Sequence, residues 1–224
     1  YKKLDTYIFT RSEVFDFSGL PLPTIASSIP SNVIISPLGT ISYEDNGKGG
    51  DLKGLEFSGA MELGRVIPFL DGFGVQGSLS LTWSNLNMAD PAANGVVVKR
   101  RIPGLSKTVY NLTGYYEKSG FQARISYRYR SAYKGEVVQL FAKRGFTEIM
   151  ADKQVDAQIG YSFPEGSSLD GLSILLQVNN LTDSPYRTRL GLDDGGTKTS
   201  DGSYLPETYE KYGRQFLFGI SYKF

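Results

Sequence analysis

The sequence contains no cysteine and no histidine. Without cysteine there is no disulfide framework and no thiolate metal site. Without histidine the commonest general base and the commonest metal ligand are missing, so no Ser-His nucleophilic pair can form within these residues. No apolar run approaches the roughly 18–20 residues that a helical membrane span requires. An excess of charge of one sign is lacking too. The 24 Lys and Arg balance 23 Asp and Glu over 224 residues, leaving neither a basic footprint for nucleic acid nor an acidic tail. There is no signal peptide, and residue 1 is Tyr rather than Met, as expected of a mature, cleaved or incomplete chain.

Glycine (26), tyrosine (15) and phenylalanine (13) are plentiful, whereas tryptophan occurs once. Such enrichment with short polar interruptions predicts an all-β protein. Mean hydropathy is −0.23, the range of soluble proteins, but a membrane barrel has the same average because lipid-facing and lumen-facing residues alternate.

The chain is most informative when read backward. Phe216, Phe218, Ile220, Tyr222 and Phe224 alternate with Gln215, Leu217, Gly219, Ser221 and Lys223. This matches the 9–11 residues, roughly, of a barrel strand crossing a bilayer. A half-buried edge strand of a soluble sheet would show the same period. Similar alternation recurs in 54–63, 73–84, 110–116, 121–130, 154–163 and 172–178. In 121–130 one row is Phe121, Ala123, Ile125, Tyr127 and Tyr129, and the other carries Arg124, Arg128 and Arg130. Each arginine would cost roughly 2–4 kcal/mol at the bilayer midplane, so that row predicts a wet lumen.

The connections alternate in length. Those at 65–71, 117–120 and 164–171 are short, and those at 12–48, 88–104, 134–149 and 183–209 are long. Sorting of this kind marks outer-membrane barrels. Tyr1–Arg11 is β-like and brings the expected number of strands to about eight. Two architectures fit: a small closed eight-strand barrel, or the last third of a large one.

Specific motifs add a family resemblance. The run Gly213-Arg214-Gln215-Phe216-Leu217-Phe218-Gly219-Ile220-Ser221-Tyr222-Lys223-Phe224 resembles the terminal signature of TonB-dependent receptors. Val178-Asn179-Asn180-Leu181-Thr182-Asp183-Ser184-Pro185-Tyr186 resembles that family's penultimate-strand motif, and Leu52-Lys53-Gly54-Leu55-Glu56 its Gly-hydrophobic-Glu strand. Tyr110–Tyr133 is similar to the branch common in Caulobacter- and Xanthomonas-like bacteria. Lys211 departs from the terminal pattern, which usually has a small or amide residue there.

The resemblance implies an all-β transmembrane antiparallel barrel in the bacterial outer membrane. Residues 1–224 would be its C-terminal portion, about eight strands of a probable 22, with the plug domain and the N-terminal strands absent. It implies uptake of a scarce carbohydrate or siderophore-like ligand with energy from the TonB-ExbB-ExbD complex, which acts through a box that these residues do not include. Its partners would be outer-membrane lipid, the rest of the barrel and plug, the barrel-assembly machinery and the small-molecule ligand, with no nucleic acid, no cofactor, no metal and no catalytic residue.

Glu56, Arg124, Arg128, Arg130 and Asp156 are expected to line the lumen, either touching a plug or pairing between neighbouring strands. Tyr43, Phe141, Phe146 and Tyr204 are loop candidates for ligand stacking. Trp83 and Tyr133, near strand ends, read as interface-belt anchors. Phe216, Phe218, Ile220, Tyr222 and Phe224 suit both lipid packing and an assembly signal, and Asn179, Asn180 and Asp183 suit loop-base hydrogen bonding. Asp193-Asp194-Gly195-Gly196 does not have EF-hand spacing. The competing readings are a self-contained eight-strand barrel with a structural or adhesion role and, weakest for want of histidine, a small acyl-hydrolase barrel.

Overall fold

The computed structural model describes residues 1–19, 36–89, 97–140, 143–190, 200–202 and 206–223. Its strands are β1 (Lys2–Asp16), β2 (Leu38–Glu62), β3 (Phe73–Ala89), β4 (Val97–Arg100), β5 (Thr108–Lys118), β6 (Phe121–Arg130), β7 (Tyr133–Leu140), β8 (Lys143–Ile149), β9 (Asp152–Ser162), β10 (Leu172–Asn179), β11 (Tyr186–Leu190), β12 (Pro206–Glu210) and β13 (Gln215–Tyr222). Eight of them form an antiparallel wall in the order β1-β2-β3-β5-β6-β9-β10-β13, with β4 paired to β3. The wall is open: among the described residues β1 pairs only with β2 and β13 only with β10.

The alternation in sequence becomes two faces. Partners across an antiparallel ladder point the same way, and the register keeps like with like. Ser78 faces Asn111, Asn111 faces Arg128 and Arg128 faces Gln154. Ser126 faces Asp156, and Arg124 faces Gln158, which faces Gln177. On the other side Leu79 faces Tyr110, Ile125 faces Ala157, and Leu176 is flanked by Ile159 and Phe218. The apolar face is uncovered. Phe57, Leu112, Ile125, Phe216, Phe218 and Ile220 are all exposed. A soluble protein would bury such a continuous patch, and lipid can cover it.

Aromatic rings edge this apolar face. At the short-turn end Phe73 packs on Tyr116 (4.6 Å between centroids), Tyr116 on Phe121 (6.0 Å) and Tyr161 on Phe163 (5.0 Å). At the other end Tyr110 stacks on Tyr129 at 5.0 Å. Trp83, on the same face, is 41% exposed. Phe73 begins this face of β3 and Trp83 lies further along it, before the row turns polar at Asn85 and Asn87, a separation of about 25 Å along the normal for a strand tilted by roughly 45°. The Arg130 guanidinium lies over the Tyr133 ring, 3.8 Å from its centre, a cation–π contact.

Three short connections share one end of the wall. The tightest is Ser119 (φ 52°) and Gly120 (φ 82°), a two-residue hairpin loop of type I′ signature between the paired Lys118 and Phe121. Each short turn ends on a glycine at positive φ, namely Gly72, Gly120 and Gly171. Their carbonyls accept the N–H of Glu117, Ser162 and Lys223 on the next strand along the wall, at 2.8, 2.8 and 2.9 Å. The turns therefore stitch neighbouring hairpins together as well as reversing the chain.

The turn before β3 carries an ion pair, Lys118 Nζ to Asp71 Oδ2 at 2.8 Å. The hydrogen bond from Lys118 and then its charge hold the Asp71 carboxyl below its ordinary value. A carboxyl lowered on folding contributes stability above its unfolded value and loses that contribution as pH falls through the lowered one. Lys118→Met should therefore raise the Asp71 titration back toward the ordinary carboxylate range in a carboxyl NMR titration, whereas an unchanged titration would contradict this assignment.

The long connections are not the plain loops expected from sequence. The stretch expected as the loop 12–48 holds the end of β1 and the start of β2, a hairpin that continues well beyond the wall (Asp16 pairs with Leu38). The stretch 88–104 carries β4, and 134–149 and 183–209 carry β7, β8, β11 and β12. The last four form a second sheet in the order β12-β11-β8-β7. Phe146 of β8 (3% exposed) anchors this sheet by packing into a small core with Leu86 and Met88 of β3.

Candidate functional site

The polar face concentrates its charge at the middle of the wall. Arg128 donates to Gln154 Oε1 and Asp156 Oδ2, both at 2.8 Å. Asp156 Oδ1 accepts the backbone N–H of Asn180 at 3.0 Å. Arg124 reaches Glu117 at 3.4 Å. Of these groups Arg124, Arg128 and Asp156 line a shallow basin of about 320 Å³ with Asn111, Thr113, Gln158 and Gln177. It is rich in donors and acceptors and holds no nucleophile–base pair, so it can bind or conduct a polar solute. Arg130 belongs to the same face but bends away, donating to Ser106 Oγ (2.8 Å) and the Gly104 carbonyl (2.9 Å). Glu56 lies at the far side, opposite Ser80. Asp156→Ala should cost about 1–3 kcal/mol, since it leaves Arg128 and the Asn180 N–H without this carboxylate, read as a lower urea midpoint; an unchanged midpoint would show that water replaces both contacts.

The Asn-Leu-Thr-Asp segment forms a knot at the end of β10. Asn180 (φ 53°) accepts from Ser184 N at 2.8 Å and donates to the carbonyls of Ser184 (3.1 Å) and Gly213 (3.2 Å). Leu181 N donates to the Val155 carbonyl at 2.7 Å, and Arg214 Nε donates to the Leu181 carbonyl at 2.8 Å. One short loop thus holds β9, β10 and the entry to β13 in register. The departure at Lys211 has a structural reason here, because its ammonium sits 2.7 Å from Asp183 Oδ2. That contact raises the Lys211 value, chiefly through the hydrogen bond.

Of the loop candidates, Tyr43 lies on the β1–β2 hairpin, with its hydroxyl 3.2 Å from Glu13 Oε1. Phe146 is buried beneath the second sheet, with no free face for a ligand to stack on. Phe141, Tyr204 and Phe224, together with the Asp193-Asp194 segment, lie outside the described residues. Phe216, Phe218, Ile220 and Tyr222 project from the apolar face of the edge strand β13. Sequence reasoning missed a second recess, of about 390 Å³, where β4 approaches β7 and β8. Its signal was the run Lys99-Arg100-Arg101 inside what read as a loop.

Searches of curated proteins and of solved structures return no match. A family model does match: TonB dependent receptor-like, beta-barrel, over residues 1–181. Members of that family are bacterial outer-membrane transporters energised through TonB, and they are not enzymes. The open antiparallel wall, with one uncovered apolar face, one polar face and short turns at one end, agrees with this match over most of its length, and the chain belongs to the TonB-dependent receptor-like β-barrel family.

Proposed function

We propose that these residues form the C-terminal portion of a TonB-dependent transporter barrel, about eight strands of a 22-strand wall, with the plug and the remaining strands supplied by further polypeptide. The observation that carries this reading is the open wall. β1 and β13 each have a single strand partner among the described residues. Unpaired strand edges are not tolerated in hydrocarbon, so further strands must complete the sheet. In this reading the polar face lines the lumen, and Glu56, Arg124, Arg128, Arg130 and Asp156 are available to a plug or a passing solute. The alternating residues of β13 serve the barrel-assembly machinery as well as lipid.

The cargo is a scarce nutrient, a carbohydrate or siderophore-like molecule, and energy comes from TonB-ExbB-ExbD acting on a box in the plug. Resemblance to the Caulobacter- and Xanthomonas-like branch favours a nutrient over a siderophore. Uptake in wild-type, receptor-deleted and TonB-deleted cells tests this. The expected result is equal loss of uptake in both deletions; receptor-dependent uptake that survives without TonB would overturn it.

A further inference from the structure

We propose that the turn 63–71, between β2 and β3, is seated in the periplasmic leaflet of the membrane, with Val66, Ile67 and Phe69 inserted where phospholipid headgroups meet acyl chains. The turn stands at the short-turn end of the wall, which in outer-membrane barrels is the periplasmic one. It consists of two 3-10 turns, Leu63–Arg65 and Pro68–Leu70. Its tip is apolar and bare: Phe69 is 83% exposed, Val66 67% and Ile67 40%. An exposed apolar patch of this kind marks contact with a membrane or with a protein.

Position, charge and backbone all favour lipid. Lys118 continues the lipid-facing row of β5 one step beyond Tyr116 and faces Phe121 across the hairpin. Its ammonium holds Asp71 at 2.8 Å, and a Cβ at Gly72 would lie 2.9 Å from the Tyr116 ring and 3.1 Å from Lys118 Cβ. The turn is therefore fastened to the lipid-facing side, next to the ring pair of Phe73 and Tyr116 at its rim. The charges of 62–71 flank the tip and are paired, Arg65 with Glu62 at 2.7 Å and Asp71 with Lys118. Between them 66–70 carries no polar side chain. A protein partner would find no hydrogen-bonding side chain there to orient it, and lipid needs none. The backbone donors are also satisfied within the turn. Val66 and Ile67 donate to the Leu63 carbonyl (3.0 and 2.9 Å), Leu70 to that of Ile67 (2.9 Å) and Asp71 to that of Pro68 (3.2 Å), while Pro68 has no N–H. Such self-sufficiency lowers the cost of leaving water.

The full receptor in phospholipid bilayers tests the proposal, with single cysteines V66C, I67C and F69C carrying an environment-sensitive fluorophore. E165C, in an exposed turn at the same end of the wall, is the aqueous control. Heat-modifiability electrophoresis first shows each variant folded, and three positions are read so that the answer does not hang on one. The tip labels should emit to the blue of the E165C label. They should be quenched several-fold more than it by a nitroxide on the upper acyl chain, and several-fold less by aqueous iodide. Tip labels as open to iodide as E165C would overturn the proposal. So would labels shielded from iodide yet untouched by the nitroxide, since protein rather than lipid would then cover the turn. Neither outcome depends on the cargo or on TonB, because the proposal requires only that the wall spans the membrane.

Discussion

Ile125→Arg should lower the stability of the membrane-embedded barrel by about 2–4 kcal/mol, the midplane cost of a lipid-facing arginine. Ile125 sits midway along β6 on the apolar face, 54% exposed to whatever surrounds the wall, beside Gly114 and Ala157. None of these neighbours can pair a charge, and snorkelling to either rim must cover about half the bilayer. Gln76→Arg places the same residue on the polar face, between Ala60 and Thr113. It should change stability by no more than about 0.5 kcal/mol, as a substitution exposed to water does. The difference between these two variants matters more than either value alone, because it cancels generic effects of arginine on insertion. Equilibrium unfolding in urea from lipid vesicles measures it. Equal losses would mean that the two faces see the same solvent.

Gly120→Val should be of comparable severity for a backbone reason. The residue holds φ at 82°, a region a β-branched side chain hardly enters. A Cβ there would also collide with the carbonyl oxygen of Ser162 on β9. Strain of about 1–3 kcal/mol adds to the loss of the turn-to-strand hydrogen bond, worth about 1 kcal/mol. The expected readout is a reduced folded fraction in heat-modifiability electrophoresis. Gly114 is the matched control: it lies in the same hairpin without positive φ, and a Cβ there meets nothing within 4 Å. Gly114→Ala should be near neutral. If the two substitutions cost the same, the turn does not carry the register of β5, β6 and β9.

These contrasts follow from features of unequal legibility. The wall could be read from sequence because its signal is local. A period of two over Phe121–Arg130 fixes both the strand and its faces, and the expected bounds coincide with β6. The Ser119-Gly120 loop is as local, since so short a hairpin closes on residues at positive φ, here both of them. The second sheet could not be read that way. β8 pairs with β11 through contacts such as Thr188 to Ile149, and Phe146 packs on Leu86, so these strands exist because of partners far away in sequence. The upper part of β2 was hidden by its glycines, asparagine and aspartates, which read as loop. Yet the strand continues there, and side chains at Gly49 and Gly50 would strike the backbones of β1 and β3.

Within the candidate site the same division holds. Arg128 and Asp156 were placed on one face by alternation alone, but the bond from Asn180 to Asp156 joins a strand to a loop base and leaves no periodic trace. Phe146 and Tyr133 looked available because each is an aromatic in a presumed loop or near a strand end. One is buried by β3, a partner far away in sequence; the other meets Arg130, only three residues before it but across the break between β6 and β7, where the period of two no longer says which way a ring points.

The central claim is that one wall separates lipid from water, residue by residue. The absence of cysteine makes it directly testable, since every introduced thiol is the only one among these residues. Single cysteines at each position of 121–130, spin-labelled in the receptor in bilayers, report accessibility to oxygen, which concentrates in lipid, and to a water-soluble nickel complex. Positions 121, 123, 125, 127 and 129 should favour oxygen, and 122, 124, 126, 128 and 130 the nickel complex, in strict alternation. Uniform accessibility along β6, or alternation with the faces exchanged, would contradict the account.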